Sequence, residues 1–154
     1  MSRIAVLGVG NPLMRDDGIG VRVAEMIRDR LEVKNIKVIL GETDVSYCLD
    51  CICADDFLVL LDAIHAGGLP GSVWLLPMEQ AVSCRQKPYA AHDMSLVDAI
   101  AEEYPQSRGV LIGIEPEDVG IGLELSACLQ DQFSRICADV EALLQKIMED
   151  EADA

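Results

Sequence analysis

Carboxylates and imidazoles gather in a few short segments of this sequence. Two adjacent aspartates follow the glycine-rich stretch GVGNPLM at residues 8–14, and Asp62 ends the most apolar run of the chain. A carboxylate is costly there unless a cation or a hydrogen bond compensates it. Of the two histidines, His65 and His92, the second stands before a predicted helix, whose dipole keeps the imidazole neutral. Two carboxylates and a neutral imidazole suit a borderline divalent ion such as nickel or zinc.

The glycine-rich stretch also begins like a dinucleotide-binding turn, which is the first alternative. Leu13 stands where the third glycine of that fingerprint belongs, and Pro12 delays the helix to about Asp16 or Asp17. Both carboxylates would then face the phosphates, so a nucleotide-binding α/β domain is the weaker interpretation. In a purely structural interpretation Asp16 caps the helix, and both acids favour its positive end. A helix cap accounts for Asp16 but gives no specific role to Asp17.

Five apolar runs predict the strands that must position these residues, and apolar residues at helical spacing predict four helices between and after them. The fourth run follows the third too soon for a helical crossover, so we expect these two strands to be antiparallel. The sequence therefore predicts a single domain over residues 1–154, a three-layer α/β/α sandwich with a twisted, mostly parallel five-stranded sheet and one antiparallel strand. The predicted strands are residues 4–10, 36–40, 57–64, 73–77 and 109–114, and the helical patterns cover 19–31, 47–54, 96–104 and 133–147.

Ligands of such sheets lie beyond the carboxyl ends of the strands, where the strand order reverses. The loops after the first and third strands hold the aspartates and His65, and Glu42 ends the second strand. We expect a site at this edge of the sheet. Glu42 either helps to recognise a substrate there or is a hydrated strand end.

Composition limits the partners. The formal net charge of −15 argues against nucleic acid and against an anionic membrane surface, because both favour Lys and Arg. No apolar run approaches the roughly 20 residues of a membrane span, and the first residues lack the layout of a cleavable signal. We expect a cytoplasmic protein with an acidic tail from about residue 148 that is solvated and frayed.

The six cysteines are too scattered for a disulfide scaffold, so reduced thiols are expected. The segment CLDCIC at residues 48–53 lacks a second CxxC pair and a nearby histidine, which favours packing in a buried helix over a metal or redox site. No G-x-S-x-G elbow is present, and a serine or cysteine nucleophile is therefore poorly supported.

Four motifs in order, GVGNPLMRDDGIG, LLDAI, AHDMSL and IGIEPEDVGIGLELS, span nearly the whole chain. Together they resemble the hydrogenase maturation endopeptidase family. The resemblance implies an enzyme that removes a C-terminal extension from the large-subunit precursor of a nickel-iron hydrogenase after nickel insertion. By motif position it implies metal ligands at Asp17, Asp62 and His92, with Asp17 standing where some members have Glu. His65 matches no metal position and is interpreted as a loop residue.

The ligand set that this resemblance implies contains no thiolate, whereas nickel in a hydrogenase precursor is held by cysteines. We therefore expect the nickel to be carried by the substrate, with zinc or cadmium able to substitute in vitro. The metal would either polarise the peptide carbonyl or activate a water molecule, and an aspartyl-type role of the carboxylates stays open. The alternative from another class is a chaperone that binds metal and a hydrogenase subunit without cutting it.

Overall fold

The computed structural model describes residues 2–82 and 91–153, with backbone alone for 81–82 and 91–95. All five predicted strands and all four predicted helices are present. A short helix after the fourth strand was not predicted. The strands are β1 Ile4–Val9, β2 Lys37–Glu42, β3 Phe57–Ala63, β4 Val73–Pro77 and β5 Arg108–Ile114. The helices are α1 Ile19–Glu32, α2 Val45–Cys51, α3 Met78–Val82, α4 Ala91–Glu103 and α5 Ala127–Ala152.

The strands form one five-stranded sheet in the order β2-β1-β3-β5-β4. Four strands are parallel and β4 is antiparallel to β5, which confirms the mixed sheet. The third and fourth strands do run in opposite directions, but they are not neighbours. Both edges of β3 pair with parallel strands, β1 and β5, so β4 cannot pair with β3 and instead joins the free edge of β5.

Apolar side chains cover both faces of the sheet and produce the three predicted layers. One core cluster joins α1 and α5 to the sheet through residues such as Ile27 and Ile136. The other joins α2 and α4 to the opposite face through Cys48 and Ile100. Consecutive residues of β3 alternate between the two clusters, as expected for a strand buried on both faces.

The acidic end of the chain is ordered, and the prediction of a frayed tail from about residue 148 was wrong. Helix α5 continues to Ala152, and Met148 packs against the core of its face. The Glu151 carboxylate accepts a hydrogen bond from Arg108 at 2.6 Å. The helix persists because it has one apolar contact and one ion pair in its last turns. No helix in the described part of the chain is long and apolar enough to cross a membrane.

Candidate functional site

The predicted site centres on Gly10, which follows β1 at the carboxyl edge of the sheet. Gly10 has φ +119°, and its N–H donates to the Glu42 carbonyl at 2.9 Å. A Cβ at this position would collide with the Asp17 carbonyl oxygen and would lie 3.3 Å from Asp62 Oδ1. Only glycine allows this turn and this close approach. The first loop and the end of β3 therefore converge here, and they bring Asp17 and Asp62 together.

The Asp17 carboxylate is held by its own loop. Asp17 lies in a 3-10 turn, Arg15–Gly18, and is 7% exposed. Its Oδ2 accepts from the Asn11 N–H at 2.8 Å, while Asn11 Oδ1 accepts from the Leu13 N–H at 2.9 Å. This Asx turn around Pro12 fixes the path of the loop. The side-chain position of Asp17 is therefore set before any ligand binds.

Asp62 is the penultimate residue of β3 and is fully buried. Its Oδ1 accepts from the Ala63 N–H at 2.8 Å. Helix α1 covers this end of the strand closely, since a Cβ at Gly20 would collide with the Leu61 carbonyl and lie 2.9 Å from the Asp62 nitrogen. A carboxylate in such an enclosed position is stabilised by hydrogen bonds or by a cation.

The third predicted ligand is described by its backbone alone. Helix α4 begins at Ala91, so His92 lies in its first turn rather than before it. The side chain of His92 falls outside the described residues. Among the side chains that are described, no group of three or more His, Cys, Asp or Glu has a metal-binding arrangement. The structure thus brings two of the three predicted residues together, and the role of His92 stays a prediction.

Asp16 does not cap α1, and the interpretation of this residue as a helix cap was wrong. Helix α1 has Gly18 at its N-cap and no side-chain cap bond. Asp16 is fully buried and reaches the loop between β5 and α5. Its Oδ2 accepts from the Glu117 and Asp118 N–H groups, both at 2.9 Å, and its Oδ1 accepts from the Ser126 N–H at 2.8 Å. Asp16 therefore ties that loop to the loop that carries Asp17.

Sequence reasoning missed Glu115, an acid at the same edge of the sheet. Glu115 directly follows β5 and is almost fully buried. Its Oε1 accepts from the Ala66 and Gly68 N–H groups at 3.0 Å, and its Oε2 lies 3.7 Å from His65 Nδ1. Its place at the carboxyl end of a strand, where Asp62 also lies, was the available signal. His65 lies in the loop after β3 beside Glu115, as its interpretation as a loop residue predicted.

The cysteine segment packs against the core as predicted, except at Cys53. Cys48 is buried beneath the sheet edge next to Gly41, and burial raises the pKa of its thiol to about 11. Cys51 is half-buried, Cys53 is exposed, and both are free thiols. The segment lies on the side of the sheet that α2 covers, and packing against that core accounts for Cys48 and Cys51.

The structure places Asp17 and Asp62 near Gly10 at the carboxyl edge of an α/β sheet, and comparison with known proteins defines the class. The family model described as hydrogenase maturation protease matches residues 21–143. The chain therefore belongs to the hydrogenase maturation protease family, as the motifs predicted, and this family membership implies a peptide-bond hydrolase.

Individual relatives agree with this assignment. The chain is 27% identical to the hydrogenase 2 maturation protease of Escherichia coli (strain K12), over 96% of this chain and 99% of that protein. It is 32% identical to the hydrogenase expression/formation protein HupD of Bradyrhizobium diazoefficiens, over 86% of this chain and 73% of that one. The solved structure of the hydrogenase maturating endopeptidase HybD from E. coli superimposes with a TM-score of 0.78 at 25% identity, covering 94% and 93% of the two chains.

Proposed function

We propose that this protein is the endopeptidase that removes the C-terminal extension from a nickel-iron hydrogenase large-subunit precursor after nickel has been inserted. The observation that carries the proposal is that the loop of Asp17 and the Asp62 carboxylate meet at Gly10 in a member of the maturation protease family. In the proposed complex, Asp17, Asp62 and His92 bind the nickel that the precursor presents.

The two described carboxylates fit a divalent cation. One is fully buried and the other nearly so, and each has a backbone amide that fixes one of its oxygens. Carboxylate oxygens are ligands that divalent cations take in proteins. Carboxylate oxygens and one imidazole are hard or borderline ligands. They suit a shared interaction with an ion that thiolates of the precursor already hold, and zinc or cadmium can take nickel's place in vitro.

Peptide hydrolysis requires that a water oxygen attack the carbonyl carbon, that the C–N bond break, and that a proton reach the leaving amine. A bound divalent ion polarises the carbonyl or lowers the pKa of the attacking water. In this proposal Asp17 and Asp62 orient the scissile bond relative to the ion, and one of the two carboxylates accepts the water proton and returns it to the amine. Cleavage then reports that nickel has been inserted.

The test removes metal from the protease with a chelator, removes the chelator, and offers nickel-loaded and nickel-free precursor in parallel. The mass of the precursor measures cleavage. We expect loaded precursor to be cut by stripped protease and nickel-free precursor to stay intact. Equal cleavage of both forms would refute nickel sensing, and activity that returns only after zinc is added would indicate a resident metal. Binding without any cleavage would make the protein a chaperone.

Ligand variants test the residues. Asp17→Asn and Asp62→Asn keep the side-chain shape and remove one anionic oxygen, and we expect each to lower kcat/KM by roughly 100-fold or more, as removal of a group used in the transition state does. His92→Ala should have a similar effect. The matched control is His65→Ala, which should change kcat/KM far less. A larger loss in His65→Ala than in His92→Ala would mean that the wrong histidine was chosen.

A further inference from the structure

Three exposed aliphatic side chains lie beside the candidate site, on two loops that are paired with each other. Leu13 follows the Asx turn of the first loop, and Ile121 and Leu123 lie in the loop between β5 and α5. All three are more than half exposed, and Ile121 is 92% exposed. We call these three residues the apolar ridge. Single exposed apolar residues are ordinary, but a group of them on one rigid feature marks an interaction site.

Backbone pairing brings the ridge together. Met14 and Gly122 form a parallel bridge, in which the Gly122 N–H donates to the Leu13 carbonyl at 2.9 Å and the Arg15 N–H donates to the Gly122 carbonyl at 3.1 Å. This register places Leu13 and Ile121 at neighbouring positions of the two segments. Leu123 directly follows the bridge residue Gly122, as Ile121 directly precedes it.

The ridge is held rigidly and close to the site. The Asp16 carboxylate accepts three N–H groups of the second loop, and the Leu13 N–H is linked through Asn11 to Asp17 Oδ2. The Arg22 guanidinium also donates to the Leu123 carbonyl. Because these loops are already fixed, a partner that covers the ridge does not have to order their backbone, which removes that part of the entropic cost of binding.

The charge around the ridge selects the partner. Glu117 and Glu124 are exposed in the same loop, and neither forms an ion pair within the described part of the chain. Asp118 pairs with Arg15 at 3.2 Å. Together with the net charge of −15, this disfavours a second copy of the chain and an anionic lipid surface, because both would bring like charges together. An apolar segment flanked by lysine or arginine complements the surface.

From this placement and charge we infer that the apolar ridge is the docking surface for the precursor polypeptide, through a segment of aliphatic side chains flanked by basic residues. The inference rests on the proposed function. It assigns recognition of the precursor to residues that do not touch the scissile bond. The ridge therefore acts on binding and leaves the chemical step unchanged.

The test compares an Ile121→Ser/Leu123→Ser double variant with the wild-type protein on nickel-loaded precursor. Both side chains are exposed, so the variant should fold, as circular dichroism verifies. We expect KM to rise by about tenfold or more and kcat to stay within about twofold, because the lost burial weakens binding of substrate and transition state alike. The matched control is Val33→Ser, an exposed aliphatic residue at the far end of α1, which should leave both constants unchanged.

Further measurements separate the possible failures. If wild-type protein cuts no precursor, the proposed function fails, and titration of intact precursor with wild-type and double-variant protein still tests the ridge. Cleavage by the double variant with wild-type KM overturns the docking inference alone. The docking inference is also overturned if the double variant differs from wild-type protein only in its monomer–dimer equilibrium or only in its binding to phosphatidylserine vesicles. Glu117→Gln/Glu124→Gln should raise KM severalfold above the wild-type value at low salt and much less at high salt; a variant KM equal to the wild-type KM at low salt refutes the charged part of the inference.

Discussion

Replacing Asp16 by asparagine should destabilise this protein more than any comparable change of an exposed acid. Asp16 is fully buried, and its two oxygens accept three backbone N–H groups at 2.8–2.9 Å. Asparagine keeps the shape of the side chain but replaces one accepting oxygen by an NH₂ group, which can only donate. At least one loop N–H then faces another donor.

The magnitude follows from counting these bonds. In the better orientation the amide oxygen faces the Glu117 and Asp118 N–H groups, and the NH₂ group faces the Ser126 N–H. Each buried polar group left unsatisfied costs about 1–3 kcal/mol, and two neutral bonds replace stronger charge-assisted ones. We expect Asp16→Asn to lower the free energy of unfolding by roughly 2–5 kcal/mol, and Asp16→Ala, which leaves all three N–H groups unpaired, by more. Ser126 also caps α5, so the start of that helix should loosen as well.

Urea unfolding monitored by far-ultraviolet circular dichroism measures the change, and Glu117→Gln is the matched control. Glu117 lies in the same loop but is exposed, so its conversion to an amide should change stability by less than about 0.5 kcal/mol. Hydrogen exchange of the three amides should accelerate in Asp16→Asn. A loss as small as that of the control, with unchanged protection of these amides, would refute the assignment of Asp16 as the link between the two loops.

Three further predictions concern other parts of the molecule. Gly10→Ala should cost at least about 2 kcal/mol and abolish cleavage, because its positive φ and the nearby backbone exclude a Cβ; a variant with wild-type melting temperature and activity would contradict this. Burial would raise the pKa of Asp56, but hydrogen bonds from Arg3 and from a backbone amide lower it overall. The stability it contributes is therefore present above the unfolded-state pKa and lost as pH falls through the folded-state pKa, and Arg3→Met should flatten the acid limb of a stability–pH curve. Alkylation at neutral pH should modify exposed Cys53 in the folded protein and buried Cys48 only after unfolding, which peptide mass mapping would show.

Much of the fold was predictable because its determinants are local. The run FLVLL is apolar at every position because successive residues of β3 face two different cores. Apolar residues at spacing four, from Ile19 to Leu31, predicted the buried side of α1. The motif order identified the family, since chemistry at strand ends requires particular residues at particular positions. The glycine at position 10 predicted a tight turn in the loop that carries Asp17.

Other features of the protein were decided only by the tertiary structure, because they depend on contacts between residues far apart in the chain. Asp16 looked like a helix cap because the nearest amides in sequence are those of α1, yet its partners lie more than 100 residues away. The position of β4 outside β5 depends on which strand edges remain open after the others have paired. Helix α5 extends through an acidic tail because Arg108 lies opposite Glu151. Local patterns set which elements form and which faces they bury, whereas hydrogen bonds and ion pairs between distant segments set the partners of each polar group.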